Sequence, residues 1–413
     1  MHERADLIGT PKPGRTGVDA GLGAVVDALG VLPADDLGAL VTTAINGIGW
    51  VGSATVFLSD YREVLLIPLD ATAQGEPDLA VGVEGSLPGR AFLTQQPVSD
   101  ADGRVCWVPL TNRWRRLGVL RLDVRPGAEP SGASTLHSAQ RIASLLATVI
   151  DSAARCTDAF YRAKRREPIS LTAEMQWELL PPMCIAGAGV TLAGRLEPAY
   201  DVGGDSFDYA INADTAHLGI FDPLGHDLRS ALLASLAVGT YRHARRSQIP
   251  LPQISPMIDA AIVGQLPDGC FVTGQLCELD LQSGDFTWVN AGHPLPLLLR
   301  DRQVHPIKVG PDRPWGLRYG KVTVGRETLQ PGDRVLLHTD GIAEARSTAG
   351  EPFGAERLAD LLVRESLAEQ AAPELLRRLL SAVVDHRSAP MVDDATAVLL
   401  EWRGPGLLPA LGG

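Results

Sequence analysis

Four short segments carry the residues with the clearest potential for chemistry, because each places an aspartate at a turn or at the end of an apolar stretch. The segments are Gly203-Gly204-Asp205, Phe221-Asp222-Pro223-Leu224-Gly225-His226, His338-Thr339-Asp340-Gly341 and Val392-Asp393-Asp394-Ala395-Thr396. In the last three, an apolar or β-branched strand pattern directly precedes or follows the aspartate. Glycine at such a place lets the chain turn sharply or approach a ligand closely.

Aspartates that converge from several strands repel one another unless a cation lies between them. Carboxylates, a backbone carbonyl and water are the oxygen ligands that hard divalent ions such as Mg²⁺ and Mn²⁺ prefer. A single aspartate in a turn, however, is usually an Asx-turn or a helix cap, and spacing in sequence does not show proximity in space. The residues alone therefore leave two interpretations open: a carboxylate metal site, or a set of separate turn residues.

The region that must position these aspartates, from about 190 to 402, is rich in strand patterns. Short apolar runs alternate there with turn residues, as at Gln282-Ser283-Gly284-Asp285. Helical patterns lie between them at 228–245, 255–266 and 355–386. Strands joined mostly by short turns, with helices grouped between them, are typical of antiparallel sheets covered by helices. We therefore predict an α+β domain over residues 168–404.

The remainder of the chain divides into four parts. Residues 1–20 contain several prolines and glycines and predict a flexible N terminus. Residues 21–133 alternate between helical and strand-like pieces, which predicts a second α+β domain. Residues 134–167 predict a long linker helix, and residues 405–413 a C-terminal tail.

The linker helix has an apolar stripe at spacings of three and four residues. The stripe consists of Ile142, Leu145, Leu146, Val149, Ala153, Cys156 and Phe160. Two interpretations stay open for it. Either the helix packs on its own domain, or it joins two copies of the chain and carries a signal between domains.

Composition excludes several classes of function. The 413 residues carry 37 Lys and Arg against 49 Asp and Glu, a formal net charge of −12, which argues against a general affinity for nucleic acid or an anionic membrane. No apolar run reaches the roughly 18 residues of a spanning helix, and the N terminus has no signal-peptide pattern. The five cysteines form no CxxC pair, as expected of reduced packing residues. We expect a cytoplasmic protein that binds neither nucleic acid nor membrane.

The aspartate segments belong to a longer ordered pattern. In chain order, it consists of Leu179-Leu180-Pro181-Pro182, Asp201-Val202-Gly203-Gly204-Asp205-Ser206-Phe207-Asp208, the segment 222–226, Asn290-Ala291-Gly292-His293-Pro294, Thr339-Asp340-Gly341-Ile342-Ala343-Glu344-Ala345 and Asp393-Asp394-Ala395-Thr396. Over residues 170–402 this pattern resembles the SpoIIE/RsbU-type branch of the PPM (type 2C) metal-dependent serine/threonine protein phosphatases. The resemblance implies an α-β-β-α sandwich, in which two antiparallel sheets are flanked by helices.

The same resemblance implies a site that holds two divalent cations, Mn²⁺ or Mg²⁺. Asp222 would bridge the two ions, and the carbonyl of Pro223 would complete one shell. Asp205 would serve one ion, and Asp340 and Asp393 the other. Metal ions in such a pair lower the pKa of a shared water, which then attacks phosphorus in line. Asp394 is expected to orient its neighbours.

Two histidines and two departures from the family pattern need separate interpretation. We expect His293 to be a hydrogen-bonded structural residue and His226 to lie at the rim of the site. Pro223 stands where the family usually has a small residue, and it still offers a carbonyl. Asp227 stands where the family usually has glycine, and it would add a carboxylate near the metals.

The N-terminal domain is similar to a GAF domain over residues 21–155. The resemblance rests mainly on the segment Gly85-Ser86-Leu87-Pro88-Gly89-Arg90-Ala91-Phe92, followed by two strand patterns that end at Val124. It implies a possible small-molecule ligand, although packing in the core is the expected role of Trp50, Phe57 and Trp107. A homodimer formed through the linker helix is a further expectation.

The function implied by the resemblance is hydrolysis of phosphoserine or phosphothreonine in a protein substrate. In the branch that the chain resembles, this substrate is commonly a phosphorylated anti-sigma factor antagonist, so that the enzyme switches a sigma factor. Two alternatives remain. One is a catalytically inactive signalling scaffold that works by binding partners, and the other is a small-molecule sensor in which the GAF-like domain carries the main function.

Overall fold

The computed structural model describes residues 41, 50–69, 79–128, 133–187, 189–198, 200, 203–225, 227–310, 312–318, 320–387 and 394–406. The predicted flexible terminus, Asp393, His226 and the end of the C-terminal tail lie outside these residues. The chain divides into two compact units between Arg166 and Glu167. None of the described helices is long and apolar enough to cross a membrane.

The N-terminal unit contains an antiparallel six-stranded sheet with strand order β3-β2-β1-β6-β5-β4. Its strands are β1 (Val51–Ser59), β2 (Leu65–Pro68), β3 (Val81–Gly82), β4 (Val98–Ser99), β5 (Val105–Asn112) and β6 (Arg115–Val124). Helix α1 (Leu87–Thr94) is capped by Ser86, whose hydroxyl accepts the main-chain N–H of Gly89. Phe57 and Trp107 are buried and meet edge to face, so both belong to the core, as predicted.

The predicted linker helix is two helices, α2 (Ala133–Ala153) and α3 (Ala159–Lys164). At the interruption, the N–H groups of Arg155 and Cys156 donate to carbonyls only three residues back, and the Thr157 hydroxyl accepts the main-chain N–H of Ala159 at the start of α3. Ile142 and Leu146 of the apolar stripe are buried in one cluster with strands β1, β5 and β6. A single helix over 134–167 was therefore wrong, and the stripe packs on its own unit. Association of two copies stays a prediction.

The C-terminal unit contains two antiparallel sheets. A five-stranded sheet has the order β15-β12-β11-β10-β9, and a six-stranded sheet has the order β14-β13-β16-β17-β8-β7. The strands are β7 (Cys184–Gly187), β8 (Val190–Glu197), β9 (Ser206–Ile211), β10 (Thr215–Pro223), β11 (Val272–Asp280), β12 (Asp285–Ala291), β13 (Leu297–Arg300), β14 (Gln303–Pro306), β15 (Val324–Thr328), β16 (Arg334–His338) and β17 (Ala395–Trp402).

Helices cover the outer faces of both sheets. They are α4 (Leu171–Leu179), α5 (Leu228–Arg246), α6 (Leu251–Gln265), the short α7 (Asp340–Ala343), α8 (Gly354–Leu367) and α9 (Ala372–His386). Helices α5 and α6 pack on the five-stranded sheet around Trp315, and α8 and α9 pack on the six-stranded sheet around Leu336.

The main core lies between the sheets, where Phe207 and Ile220 of one sheet share a cluster with Val335 and Leu400 of the other. The predicted α+β architecture with antiparallel sheets is thereby confirmed for this unit, in the order helix, sheet, sheet, helix. Strands β9, β10, β16 and β17 each begin or end at one of the aspartate segments, so the sheets bring these segments into position.

Candidate metal centre and active site

Asp205 lies immediately before β9 in a tightly packed loop and is buried, with 4% of its surface exposed. The preceding Gly204 lies against the chain that follows β10. A Cβ atom added there would be 3.0 Å from the Gly225 carbonyl oxygen and 3.1 Å from Ser230 Oγ. A side chain at this position would therefore push the Asp205 loop away from the end of β10.

The side chain of Asp394, just before β17, holds this loop. Its Oδ2 atom accepts the main-chain N–H of Gly204 at 2.7 Å and that of Asp205 at 2.9 Å. From helix α4, the Gln176 amide donates to the carbonyl of Asp205. The orienting role predicted for Asp394 matches this geometry.

Asp222 lies near the end of β10, directly opposite Thr273 in the register with β11. The Thr273 hydroxyl lies 3.1 Å from Asp222 Oδ2 and donates a hydrogen bond to it. Pro223, the last residue of β10, pairs with Val272. The proline is tolerated there because it ends the strand, and its carbonyl remains available as an oxygen donor.

Asp340 is the first residue of α7 and is exposed. Thr339 fastens the end of β16 to the start of β17. Its main-chain N–H donates to the carbonyl of Thr396, and its hydroxyl accepts the main-chain N–H of Thr396, both at 3.0 Å. Next to it, a Cβ atom at Gly341 would be 1.9 Å from the Asp394 carbonyl oxygen. Glycine therefore allows the chain after Asp340 to lie directly against Asp394.

The carboxyl group of Asp205 is in an unfavourable environment for a charge. Burial raises its pKa well above the usual value, and the neighbouring Asp222 and Asp394 raise it further. Hydrogen bonds from Thr396 and Thr339 oppose this effect. The Oδ2 atom of Asp205 is buried without a hydrogen-bond partner among the residues described. Asp205, Asp222 and Asp394 thus form a compact group of carboxyls, in which the charges of Asp222 and Asp394 disfavour ionisation of Asp205.

The donor chemistry of this group fits a hard divalent cation. A buried carboxylate oxygen without a partner, next to a second carboxylate and a strand-end carbonyl, is a set of oxygen donors that Mg²⁺ and Mn²⁺ favour. The described part of the chain contains no group of three or more His, Cys, Asp or Glu residues arranged to hold a metal ion. Asp393, the remaining predicted ligand, lies outside it. Asp205 and Asp222 are thus brought together, whereas Asp340 is exposed at the start of α7.

His293 is buried in the turn after β12 and is fixed through its main chain. Asn290 accepts its N–H at 2.8 Å and donates to its carbonyl at 2.9 Å. Burial lowers the pKa of His293 to about 3; the nearby side chain of His338 acts in the same direction and the main chain of His338 in the opposite one. His293 is therefore neutral near pH 7 and hydrogen-bonded, as predicted.

Asp227 has a structural role. Its Oδ1 atom accepts the main-chain N–H groups of Arg229 and Ser230 at the start of α5, which is the geometry of a helix N-cap. The additional carboxylate expected near the metals is thus used to cap a helix. Asp227 and Arg229 also line a surface pocket of about 380 Å³. Leu224, two residues after Asp222, is another of its lining residues.

Sequence reasoning assigned no role to four residues that hold the aspartates, namely Gln176, Thr273, Thr339 and Thr396. Thr339 and Thr396 lie within the aspartate segments, whereas Gln176 and Thr273 lie outside them. The signal that identifies Thr273 is the register of β10 with β11, and a register between strands 50 residues apart is not visible in the sequence.

Comparison with known proteins adds the family. Residues 212–403 match the family model described as Stage II sporulation protein E (SpoIIE). The C-terminal unit is a SpoIIE/RsbU-type domain of the PPM phosphatases. The SpoIIE-type match includes Asp222, Asp340 and the segment from Asp393 to Thr396, whereas Asp205 lies seven residues before it.

Two curated relatives are similar to the chain. Protein IcfG of Synechocystis sp. (strain ATCC 27184 / PCC 6803 / Kazusa) is 25% identical over 121 residues, which cover 29% of this chain and 19% of IcfG. Phosphoserine phosphatase RsbU of Bacillus subtilis (strain 168) is 18% identical over 242 residues, 57% of this chain and 70% of RsbU. The chain thus spans about a fifth of the length of IcfG and more than two thirds of RsbU.

Solved structures similar to the chain cover about half of it. The SiaA-PP2C domain of Pseudomonas aeruginosa is 24% identical, with a TM-score of 0.48, over 56% of this chain and 94% of that one. The RsbU and RsbW domains of Rv1364c from Mycobacterium tuberculosis are 28% identical, with a TM-score of 0.47, over 53% and 63% of the two chains.

Proposed function

We propose that the SpoIIE-type unit is a metal-dependent phosphatase that hydrolyses phosphoserine or phosphothreonine in a protein substrate. One observation carries the proposal: the buried Asp205 carboxyl lies beside Asp222, its pKa is raised, and its Oδ2 atom has no hydrogen-bond partner among the residues described. A cluster of this kind is costly to the fold unless a cation neutralises it. The same residues occupy the positions that the family pattern assigns to metal ligands.

The ligands of the proposed centre would come from four chain segments. Asp222 would bridge two Mn²⁺ or Mg²⁺ ions, and the carbonyl of Pro223 would complete one shell. Asp205 would serve one of the ions. Asp340 and Asp393 would hold the other ion. Bound there, the divalent cations would supply a water of lowered pKa as the nucleophile and would offset the charge of the phosphate.

The remaining groups of the site hold this arrangement in place. Asp394 fixes the main chain of Asp205, and the bonds between Thr339 and Thr396 fix the start of α7, where Asp340 lies. Since His293 is neutral, it adds no positive charge beside Asp222. The protein therefore contributes ligands that are already in position, and the cations offset the negative charge of the phosphate.

The proposed substrate class is a phosphorylated protein of a partner-switching pathway, with an anti-sigma factor antagonist as the first candidate. The support is the similarity to RsbU of Bacillus subtilis, whose name describes a phosphoserine phosphatase. Identity to RsbU is 18%, so the particular substrate is part of the proposal and not of the family assignment.

The N-terminal unit is proposed to act as a GAF-like sensor of a small molecule. Its support is the six-stranded antiparallel sheet with α2 packed against it, together with the resemblance of residues 85–92. A homodimer remains part of this proposal. A sensor of this kind would set the activity of the SpoIIE-type unit.

The experiment that tests the phosphatase is hydrolysis of p-nitrophenyl phosphate by the full chain while Mn²⁺ is titrated, with EDTA as the blank. The Asp340→Asn variant runs beside the wild type, and Asp214→Asn, which changes an exposed aspartate, is the matched control. We expect turnover that requires Mn²⁺, is lost in Asp340→Asn and is kept in Asp214→Asn. A phosphoserine peptide then tests the substrate class.

The same assay separates the enzyme from a signalling scaffold. If the full chain shows no turnover at any Mn²⁺ concentration, the measurement is repeated with residues 168–413. Activity of the fragment would mean that the N-terminal unit restrains the enzyme. An inactive fragment that remains folded would contradict the phosphatase proposal and favour the scaffold.

A further inference from the structure

The hydroxyl group of Thr273 lies between two side chains that the proposed function treats separately. Its Oγ1 atom is 3.1 Å from Asp222 Oδ2 and 2.8 Å from His293 Nδ1. A threonine hydroxyl has a single proton, so it can donate to one of these neighbours and must accept from the other. The direction of the two hydrogen bonds decides whether Asp222 accepts a hydrogen bond from Thr273.

The charge of Asp222 sets that direction. An ionised Asp222 is the stronger acceptor, because a hydrogen bond to a charged oxygen is roughly twice as strong as one between neutral groups, and the Thr273 hydroxyl donates to its Oδ2 atom. The single hydroxyl proton is then used, so Oγ1 must accept from His293, and the proton of the neutral imidazole belongs on Nδ1. The opposite tautomer would donate Nε2–H to the main chain of His338, which lies near the ring.

The histidine end of this arrangement is held rigidly. Asn290 bonds both the N–H and the carbonyl of His293. Gly292, before it, has φ of +70°, and a Cβ atom there would be 2.9 Å from Pro314 Cγ. The turn after β12 is thus fixed by side-chain bonds and by close packing. The imidazole consequently has little freedom to move away from Thr273.

We propose that Thr273 and His293 are positioning residues for Asp222: a directed chain of hydrogen bonds, from His293 Nδ1–H to Thr273 Oγ1–H to Asp222 Oδ2, fixes the orientation of this carboxylate for the divalent cation. The inference rests on the proposed function, since it assigns Asp222 to the cation. Neither residue touches the reacting groups, and both act through Asp222.

The chain offers matched variants for a test. Thr273→Val keeps the shape of the side chain and removes the hydroxyl, whereas Thr273→Ser keeps the hydroxyl. Thr287→Val is the control, because Thr287 is a half-buried threonine on β12 of the same sheet. Loss of a hydrogen-bond partner of a metal ligand commonly costs about 10- to 100-fold in metal affinity.

Mn²⁺ affinity is measured for the full chain by titration calorimetry, with no substrate present. We expect at least about 10-fold weaker binding by Thr273→Val and near-wild-type binding by Thr273→Ser and Thr287→Val. Equal affinity of Thr273→Val and the wild type would overturn the positioning role alone. A wild-type chain that binds no Mn²⁺ would overturn both this role and the proposed function.

The direction of the chain has a spectroscopic readout. Nitrogen NMR of the chain labelled with ¹⁵N-histidine distinguishes an Nδ1–H from an Nε2–H tautomer, and the His293→Gln variant assigns the resonance. We expect Nδ1–H for His293 in the wild type. An Nε2–H tautomer would reverse the bond between His293 and Thr273 and would overturn the proposed chain.

Discussion

The side chain of Asp394 holds the main chain of Asp205. A single oxygen, Oδ2, accepts the N–H of Gly204 at 2.7 Å and the N–H of Asp205 at 2.9 Å. The two aspartates are 189 residues apart in sequence and come from strands in different sheets. The link between them therefore joins the two sheets at the edge where the proposed metal ligands lie.

Removing this acceptor should destabilise the protein. In Asp394→Ala, two buried N–H groups lose a charged acceptor, and hydrogen bonds to charged groups are worth about 1.5–3 kcal/mol each. We expect the free energy of unfolding of the C-terminal unit to fall by about 3–6 kcal/mol, less the repulsion of Asp205 that the change relieves. Asp394→Asn keeps an oxygen acceptor and should lose less. Calorimetric melting of the full chain measures both.

The exposed Asp214 provides the control for this comparison. Asp214→Ala removes an aspartate side chain from a turn between β9 and β10, and its melting temperature should stay close to that of the wild type. If Asp394→Ala had the same melting temperature as Asp214→Ala, the two hydrogen bonds to Asp394 would contribute nothing to stability.

Asp205 should oppose folding when no metal is present. Its carboxyl is buried beside Asp222 and Asp394, and these three causes raise its pKa. Asp205→Asn removes one of the charges, so we expect this variant to melt higher than the wild type in EDTA. Adding Mn²⁺ should raise the melting temperature of the wild type and leave the variant unchanged, because ligand binding to the folded state stabilises it.

The opposite order in EDTA, with Asp205→Asn melting below the wild type, would mean that the carboxylate is stabilised by groups of the protein itself. Asp214→Asn serves again as the control for loss of one negative charge. It should change neither the melting temperature in EDTA nor the response to Mn²⁺.

The sequence predicts the layers of the C-terminal unit well, for a physical reason. Strand and helix periodicity are local properties, and strands such as 215–221 and 396–401 are long enough to show them. The aspartates were found because Asp205, Asp222 and Asp340 stand beside glycine or proline at strand ends. Local rules of this kind say where a strand stops and which residue is exposed to a ligand.

The parts that were missed depend on details that residue type and periodicity leave open. At the break between α2 and α3, Arg155 and Cys156 bond to carbonyls three residues back, although the apolar spacing continues through this stretch. The cap formed by Asp227 depends on where α5 begins. Thr273 became relevant only through its position opposite Asp222, which is a tertiary contact. In each case the identity of the residue leaves several roles open, and the folded main chain decides among them.

Gly341 should tolerate no side chain. A Cβ atom there would be 1.9 Å from the Asp394 carbonyl oxygen, and main-chain atoms cannot move aside as a flexible side chain can. We expect Gly341→Ala to lower the free energy of unfolding by roughly 1–3 kcal/mol, the usual cost of overpacking. Because Asp340 is its neighbour, Mn²⁺ binding should weaken as well.

The matched control is Gly239→Ala in helix α5, where an added Cβ atom meets nothing within 4 Å. Alanine is a better helix former than glycine by roughly 1 kcal/mol, so this variant should be slightly more stable than the wild type. Two variants with the same chemical change should thus shift stability in opposite directions. Equal melting temperatures would contradict the close approach of Gly341 to Asp394.

His293 should make the protein sensitive to acid. Burial lowers its pKa in the folded chain to about 3, while an exposed histidine in the unfolded chain has a pKa of about 6.5. Between these values the unfolded chain binds the additional proton, so stability falls as the pH falls. The loss due to this residue is up to about 1.4 kcal/mol per pH unit, and it is absent above about pH 6.5.

The measurement is the free energy of unfolding between pH 7 and pH 4 for the wild type, His293→Gln and His305→Gln. His293→Gln should be less stable at pH 7, because it loses the fitted ring, yet its stability should fall less steeply with acid. His338, whose pKa burial also lowers, leaves a residual slope in that variant. His305 is exposed on β14, and its replacement should keep the wild-type slope. If His293→Gln follows the wild type at every pH, the imidazole is not held neutral in the fold.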